Sequence, residues 1–152
     1  MSKPLMTLFQ EAEAAQIDWG GQQLFALVET PAQSDFELVF VRAKECPVQG
    51  INLKCMNGTL AIEGVEATEM VLWNDTAPEK IQVQVKPKST DVPRLKIWNV
   101  WRGKVGGVDV KQAWLGNAGM RIEQVSEQTR ICCSDGMGEV DFSDLVVDLR
   151  FL

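Results

Sequence analysis

Histidine is absent from this 152-residue chain, which removes the side chain that most often serves as general base and as imidazole metal ligand. Ser-His-Asp and Cys-His hydrolases are thereby excluded, as is zinc catalysis through His ligands. Tyrosine is absent too, so the aromatic content rests on five Trp and six Phe. No apolar run approaches the roughly 20 residues that cross a bilayer as a helix, and no basic run offers the patch a phosphate backbone needs. With 15 Lys and Arg against 21 Asp and Glu, the net charge is -6, and neither nucleic acid nor a membrane is an expected partner. The opening Met1-Ser2-Lys3-Pro4-Leu5-Met6 lacks the apolar region of a signal peptide and runs into Glu11 and Glu13, so a cytoplasmic location is expected.

Cysteine is scarce, at four residues. The spacing of Cys46, Cys55, Cys132 and Cys133 matches neither C-x-x-C redox chemistry nor a paired zinc-ligand pattern, so buried free thiols are expected. Neighbours on a strand face opposite sides, which sends Cys132 and Cys133 apart. No staple is required, because a chain of this length buries about 68 to 70% of its unfolded surface. A hydrophobic fraction of 45% and a charged fraction of 24% lie far from disordered compositions.

Helical spacing of apolar residues occurs only near the start, from Pro4 to Gln16, where Leu5, Met6, Leu8, Phe9, Ala12 and Ala15 form a stripe that reads as a lid on a sheet core. Gly20-Gly21 reads as its stop. From Gln22 onward the pattern becomes short alternating runs broken by turn formers, with strands expected from Gln22 to Glu29 and onward to a last one over Leu145 to Phe151. Lys80-Ile81-Gln82-Val83-Gln84-Val85-Lys86 alternates cleanly, the mark of a sheet with one wet face. Asn57-Gly58 gives the strongest local hairpin signal, between strands Asn52 to Met56 and Thr59 to Glu63. With no internal repeat or linker, residues 1–152 read as one domain: an antiparallel two-sheet β-sandwich of jelly-roll type with a short N-terminal helix.

Two groups of residues are candidates for chemistry. The first is aromatic. On the strand expected from Arg94 to Arg102, Leu95, Ile97, Asn99 and Trp101 share one side, and Arg94, Lys96, Trp98, Val100 and Arg102 share the other. The Leu95 side suits a core, leaving Trp98 on the more polar face, where an indole can stack on a sugar ring or meet Arg102. The alternative covers Trp98 with the helix, a loop or a second subunit. Trp114, just before Leu115-Gly116-Asn117, ends a strand at a loop, where binding residues collect. Trp98, Trp101, Trp114, Arg102 and Asn117 form the candidate ligand set.

The second group is acidic. The segment Ser134-Asp135-Gly136-Met137-Gly138-Glu139-Val140-Asp141-Phe142-Ser143-Asp144 places Asp135, Glu139, Asp141 and Asp144 in one loop, able in principle to supply oxygen ligands to calcium. Asp141-Phe142-Ser143-Asp144-Leu145-Val146-Val147, before a short terminal strand, resembles the Asp-Phe-Asn-Asp-Leu-Val-Val motif near the end of some bacterial β-sandwich domains. In that resemblance Ser143 stands in place of Asn, and what it implies is calcium held by Asp141 and Asp144. The alternative makes both aspartates acceptors of backbone N–H groups in a tight turn, with Phe142 and Leu145 anchoring the core. Asp135 and Asp141 could also pair as hydrolase carboxylates, given a cleft between them.

The functional expectation is a non-catalytic binding module that recognises a carbohydrate or another polar ligand, with calcium as its one candidate cofactor. The alternatives are an assembly protein that forms a homo-oligomer through its edge strands or Trp98, and a carboxylate-dependent hydrolase.

Overall fold

The computed structural model describes residues 3–152. Its one helix, α1 (Leu5–Ala12), buries Leu5, Met6 and Phe9 along one face. Pro4 precedes its first turn, and Glu13, left-handed at φ 51°, ends it. The helix expected to reach Gln16 therefore stops early, and Gln16 begins a strand. β1 (Gln16–Trp19) pairs with β2 (Gln22–Phe25) across Gly20-Gly21, whose φ values of 60° and 87° make a type I′ turn. The glycines that read as a helix stop are a hairpin turn.

The chain then changes sheet through Ala26-Leu27 into β3 (Val28–Pro31), so the single strand expected from Gln22 to Glu29 is two strands in two sheets. There follow β4 (Phe36–Ala43), β5 (Gln49–Met56), β6 (Gly58–Ile62), β7 (Val65–Ala67), β8 (Glu69–Trp73), β9 (Lys80–Pro87), β10 (Arg94–Val105), β11 (Val108–Gln112), β12 (Gly119–Val125), β13 (Gln128–Ser134) and β14 (Leu145–Phe151). One sheet has nine strands in the order β1-β2-β12-β13-β14-β4-β9-β6-β7, and the other runs β11-β10-β5-β8, with β3 also on β10. β3 and β11 share one edge of β10, at its two ends. Every strand pair in both sheets is antiparallel, as the one-sided alternation demands.

The sandwich core is filled from both sheets. Phe36 and Leu38 of β4, Ile81 and Val83 of β9, and Val147 of β14 meet Ile51 and Leu53 of β5 and Leu95 and Ile97 of β10. In β9 the expected alternation holds, with Ile81 and Val83 buried and Lys80, Gln82 and Gln84 exposed. α1 does not lid this core. It forms a second apolar cluster with Ile17 and Leu24 of the β1–β2 hairpin. Among the described residues no helix is long and apolar enough to cross a membrane.

Asn57-Gly58 is a corner between sheets and not a hairpin. β5 pairs with β10 and β8, whereas β6 pairs with β7 and β9. Only Asn57 has a positive φ, of 63°, and its side chain bonds Ser89 and the Asp91 carbonyl. Gly58 is needed for space, since a Cβ there would lie 2.7 Å from the Lys86 carbonyl oxygen. The nearby hairpin turn is instead Glu63-Gly64, at φ 48° and 84°, joining β6 to β7.

Cys55, Cys132 and Cys133 are buried and unpaired, but Cys46 is exposed, contrary to the expectation for all four. Cys133 lies in the sandwich core, and Cys132 faces the outer side of the nine-stranded sheet beside Arg121 and Arg130. Burial raises both thiols above their ordinary pKa. A thiol reagent is therefore expected to titrate Cys46 alone in the folded protein and all four cysteines after unfolding; fast reaction of a second native thiol would contradict this packing. Gly58→Ala is expected to cost about 1–3 kcal/mol in chemical denaturation through overpacking, although the residue has no positive φ.

Candidate functional site

The structure separates the residues of the candidate ligand set. Trp101 lies in the interior at 0% exposure, its Nε1–H donating to Gln112 Oε1 at 3.1 Å. Arg102 lies on the outer face of the five-stranded sheet, its guanidinium 4.6 Å from the centroid of Trp73 and 2.7 Å from Asp75. Asn117 is a structural clip: its Oδ1 accepts from the Leu5 N–H at the start of α1, and its Nδ2 donates to the Gly138 carbonyl. None of these three presents an open binding group.

Trp98 and Trp114 do come together. Trp98 is on the outward side of β10, as the alternation required, yet it is not an open platform; only 7% of it is exposed. Trp114 covers it, with ring centroids 4.8 Å apart and planes tilted by 30°. Trp114 itself remains 42% exposed. Its Nε1–H donates to the Ala26 carbonyl at 2.8 Å, and its backbone is left-handed, at φ 56°. A bulky side chain in that region is an outlier that costs on the order of 1–3 kcal/mol, the kind of strain that clusters at functional sites.

The pinned indole forms one wall of a groove of about 480 Å³. Met6, Phe9 and Ala14 from α1 and its exit, with Leu27 at the sheet change, supply the apolar floor, and Gln10 and Glu13 stand at the rim. α1 is held against this wall by the Met6 N–H, which donates to the Gly116 carbonyl, and by the Asn117 cap. The helix side of the groove was not evident from sequence, because the apolar stripe of α1 accounts equally for burial and for an open wall.

The acidic candidates divide as well. Asp135 is fully buried. Its Oδ2 accepts from Gln49 Nε2 at 2.8 Å and meets Lys44 Nζ at 2.8 Å, while its Oδ1 accepts from the Met137 N–H at 2.8 Å. Asp144 accepts from the Asp135 N–H at 3.0 Å and lies 3.6 Å from Lys44 Nζ. Burial raises the Asp144 carboxyl above its ordinary value, against the hydrogen bond from Asp135 and the charge of Lys44. Burial also pulls on Lys44, but the hydrogen bond and charges of Asp135 and Asp144 outweigh it and hold the ammonium above its usual value.

Asp141 faces elsewhere. Its Oδ1 accepts from the Ser143 hydroxyl at 2.6 Å and the Ser143 N–H at 2.9 Å, which lowers its pKa. Leu145 anchors the sandwich core, and Phe142 packs edge-on against Trp19. Asp141 and Leu145 thus follow the tight-turn alternative, whereas Asp144 accepts from Asp135 across the loop and Phe142 packs on the second apolar cluster, not in the sandwich core.

These residues do not fit calcium. Lys44 already sits between Asp135 and Asp144, and the hollow beside Asp141 is lined by Arg42, Arg121 and Arg130. Glu139 is exposed in a separate depression with Lys3 and Trp19. Among the described residues no group of three or more potential ligands converges. Asp135 and Asp141 likewise do not flank an open cleft, since Asp135 is sealed from solvent. Comparison with known proteins finds no family model, no curated sequence and no solved structure that matches this chain.

Lys44→Met strands the buried Asp135 charge and is expected to cost about 2–3 kcal/mol, less than the ~3–5 kcal/mol of a fully buried pair because Lys44 keeps some water contact. Asp141, whose folded pKa is lowered, contributes stability that is present above its unfolded value and lost as pH falls through the folded one. Melting curves of Asp141→Asn should therefore lose less on acidification below about pH 4 than wild type; an identical acid limb would refute that role.

Proposed function

We propose that this protein is a non-catalytic binding module that takes the apolar face of a carbohydrate, or a similar small amphipathic ligand, in the groove beside Trp114. Trp114 carries the reading. It is the member of the candidate ligand set that keeps a large open aromatic surface, and its strained backbone, its bond to Ala26 and its contact with Trp98 fix the ring before any ligand arrives. A pre-set ring reduces the ordering cost of binding. The groove's volume of about 480 Å³ lies in the range of small-molecule sites, roughly 300–1,000 Å³.

Gln10 and Glu13 at the rim offer hydrogen bonds to ligand hydroxyls. Glu13, on a chain of net charge -6, disfavours anionic ligands. Three buried, unpaired thiols suit a reducing compartment, which supports a cytoplasmic setting. The second reading, an assembly protein that self-associates, draws on the uncovered β10–β11 hairpin.

A glycan array, followed by titration of tryptophan fluorescence, tests the proposal. Wild type should bind neutral glycans equally with calcium and with chelator. Gln10→Ala, on the exposed helix face, should weaken binding with an unchanged melting temperature, and Trp114→Ala should weaken it at least tenfold, about 1.4 kcal/mol. No binding by wild type, or full binding by Trp114→Ala, would reject the groove.

A further inference from the structure

The β10–β11 hairpin carries apolar side chains into solvent. Val105, Val108 and Val110 are 57%, 63% and 40% exposed. They share the hairpin face that buries Trp101 at its base, so the inner face of the sheet continues past the core that covers it. Gly106-Gly107, at φ 60° and 80°, form the turn. A two-residue turn of this kind makes Val105 and Val108 a hydrogen-bonded pair, and alternation does the same for Gly103 with Val110 and Trp101 with Gln112. Asp109 and Lys111 therefore point their backbone N–H and C=O groups at the open edge, where the sheet ends. Unpaired edge groups beside uncovered valines are a template for another strand, and a projecting ribbon of two strands gains from a third.

The sequence of β11, Val108-Asp109-Val110-Lys111-Gln112, selects the occupant. Run antiparallel to itself and centred on Val110, it sets Asp109 opposite Lys111 on both sides of the axis and Val110 opposite Val110. The outward-pointing Asp109 and Lys111 then form the hydrogen-bonded pairs that this register requires. A slip of two residues either way sets Asp109 against Asp109 or Lys111 against Lys111, which is destabilising. The pairing exchanges two contacts within the chain: the exposed ion pair from Asp109 to Lys104, at 3.2 Å, and the bond that Lys111 Nζ donates to Asn52 Oδ1, at 3.3 Å.

We propose that two copies of this protein form a symmetric dimer by antiparallel pairing of β11 with β11, in the register centred on Val110, joining their five-stranded sheets into one. This goes beyond the ligand groove and does not depend on it. The interface is isologous, so it closes at two copies.

Sedimentation from micromolar to submillimolar concentration tests the dimer and its register. Wild type should dimerise. Asp109→Lys and Lys111→Asp each place like charges opposite one another and should weaken the dimer at least tenfold, with unchanged circular dichroism. Mixing the two variants should restore a heterodimer, because one edge then carries two lysines and the other two aspartates. The double swap Asp109→Lys/Lys111→Asp should dimerise alone. A monomeric wild type, a dimer indifferent to both single changes, or failure of both the mixture and the double swap would overturn the proposal.

Discussion

The burial of the Asp135 carboxylate constrains the end of the sandwich at which the groove lies. A carboxylate with no solvent contact must find its partners in the protein, and Asp135 draws them from both sheets. Lys44 follows β4 in the nine-stranded sheet, and Gln49 opens β5 in the other. Met137 brings in the loop, and the return bond from the Asp135 N–H to Asp144 fixes the entry to β14. The network carries one unmet demand, Gln49 Oε1, which has no hydrogen-bond partner. Such a network is weak evidence for net stability, since an apolar substitute is often as good. Its effect here is positional, fixing where the loop from Asp135 to Asp144 can run.

The groove inherits its shape from that loop. Gly136 lies so close to Gly116 and Trp101 that a Cβ on either glycine would collide, which seats the loop after β13 on the segment Leu115–Ala118. That segment supplies the Gly116 carbonyl and the Asn117 side chain that receive the start of α1. Trp114 is next to it, turned out of β11's path by a left-handed backbone and held by Ala26. A buried charge, a close glycine contact, a helix cap and an exposed indole thus form one connected arrangement.

Much of the architecture was legible in the sequence because period-two burial is a local signal. The alternation in β9 and the inward set Leu95, Ile97, Asn99 and Trp101 appear in the structure as the pattern requires. Asn99 even spans to the opposite sheet, donating to the Ser134 carbonyl. What failed was information carried by distant partners. Trp98 lies on the side that alternation gives it, but its cover comes from Trp114. Asn57-Gly58 has hairpin chemistry, yet close packing against Lys86 and Pro93 makes it a corner. Gly20-Gly21 stops a helix or turns a hairpin equally well in one dimension. The acidic loop showed its charges but not Lys44, the cation that answers two of them.

Hydrogen exchange in Asp135→Asn, which keeps the shape of the side chain and removes its charge, measures most directly whether this carboxylate positions the groove. Amides of Leu5 and Met6, which do not touch Asp135, are expected to exchange faster together with Met137, while Leu38 and Leu53 in the sandwich core keep their protection. Unchanged protection at Leu5 and Met6 alongside loss at Met137 would show instead that the helix and groove stand independently of the buried charge.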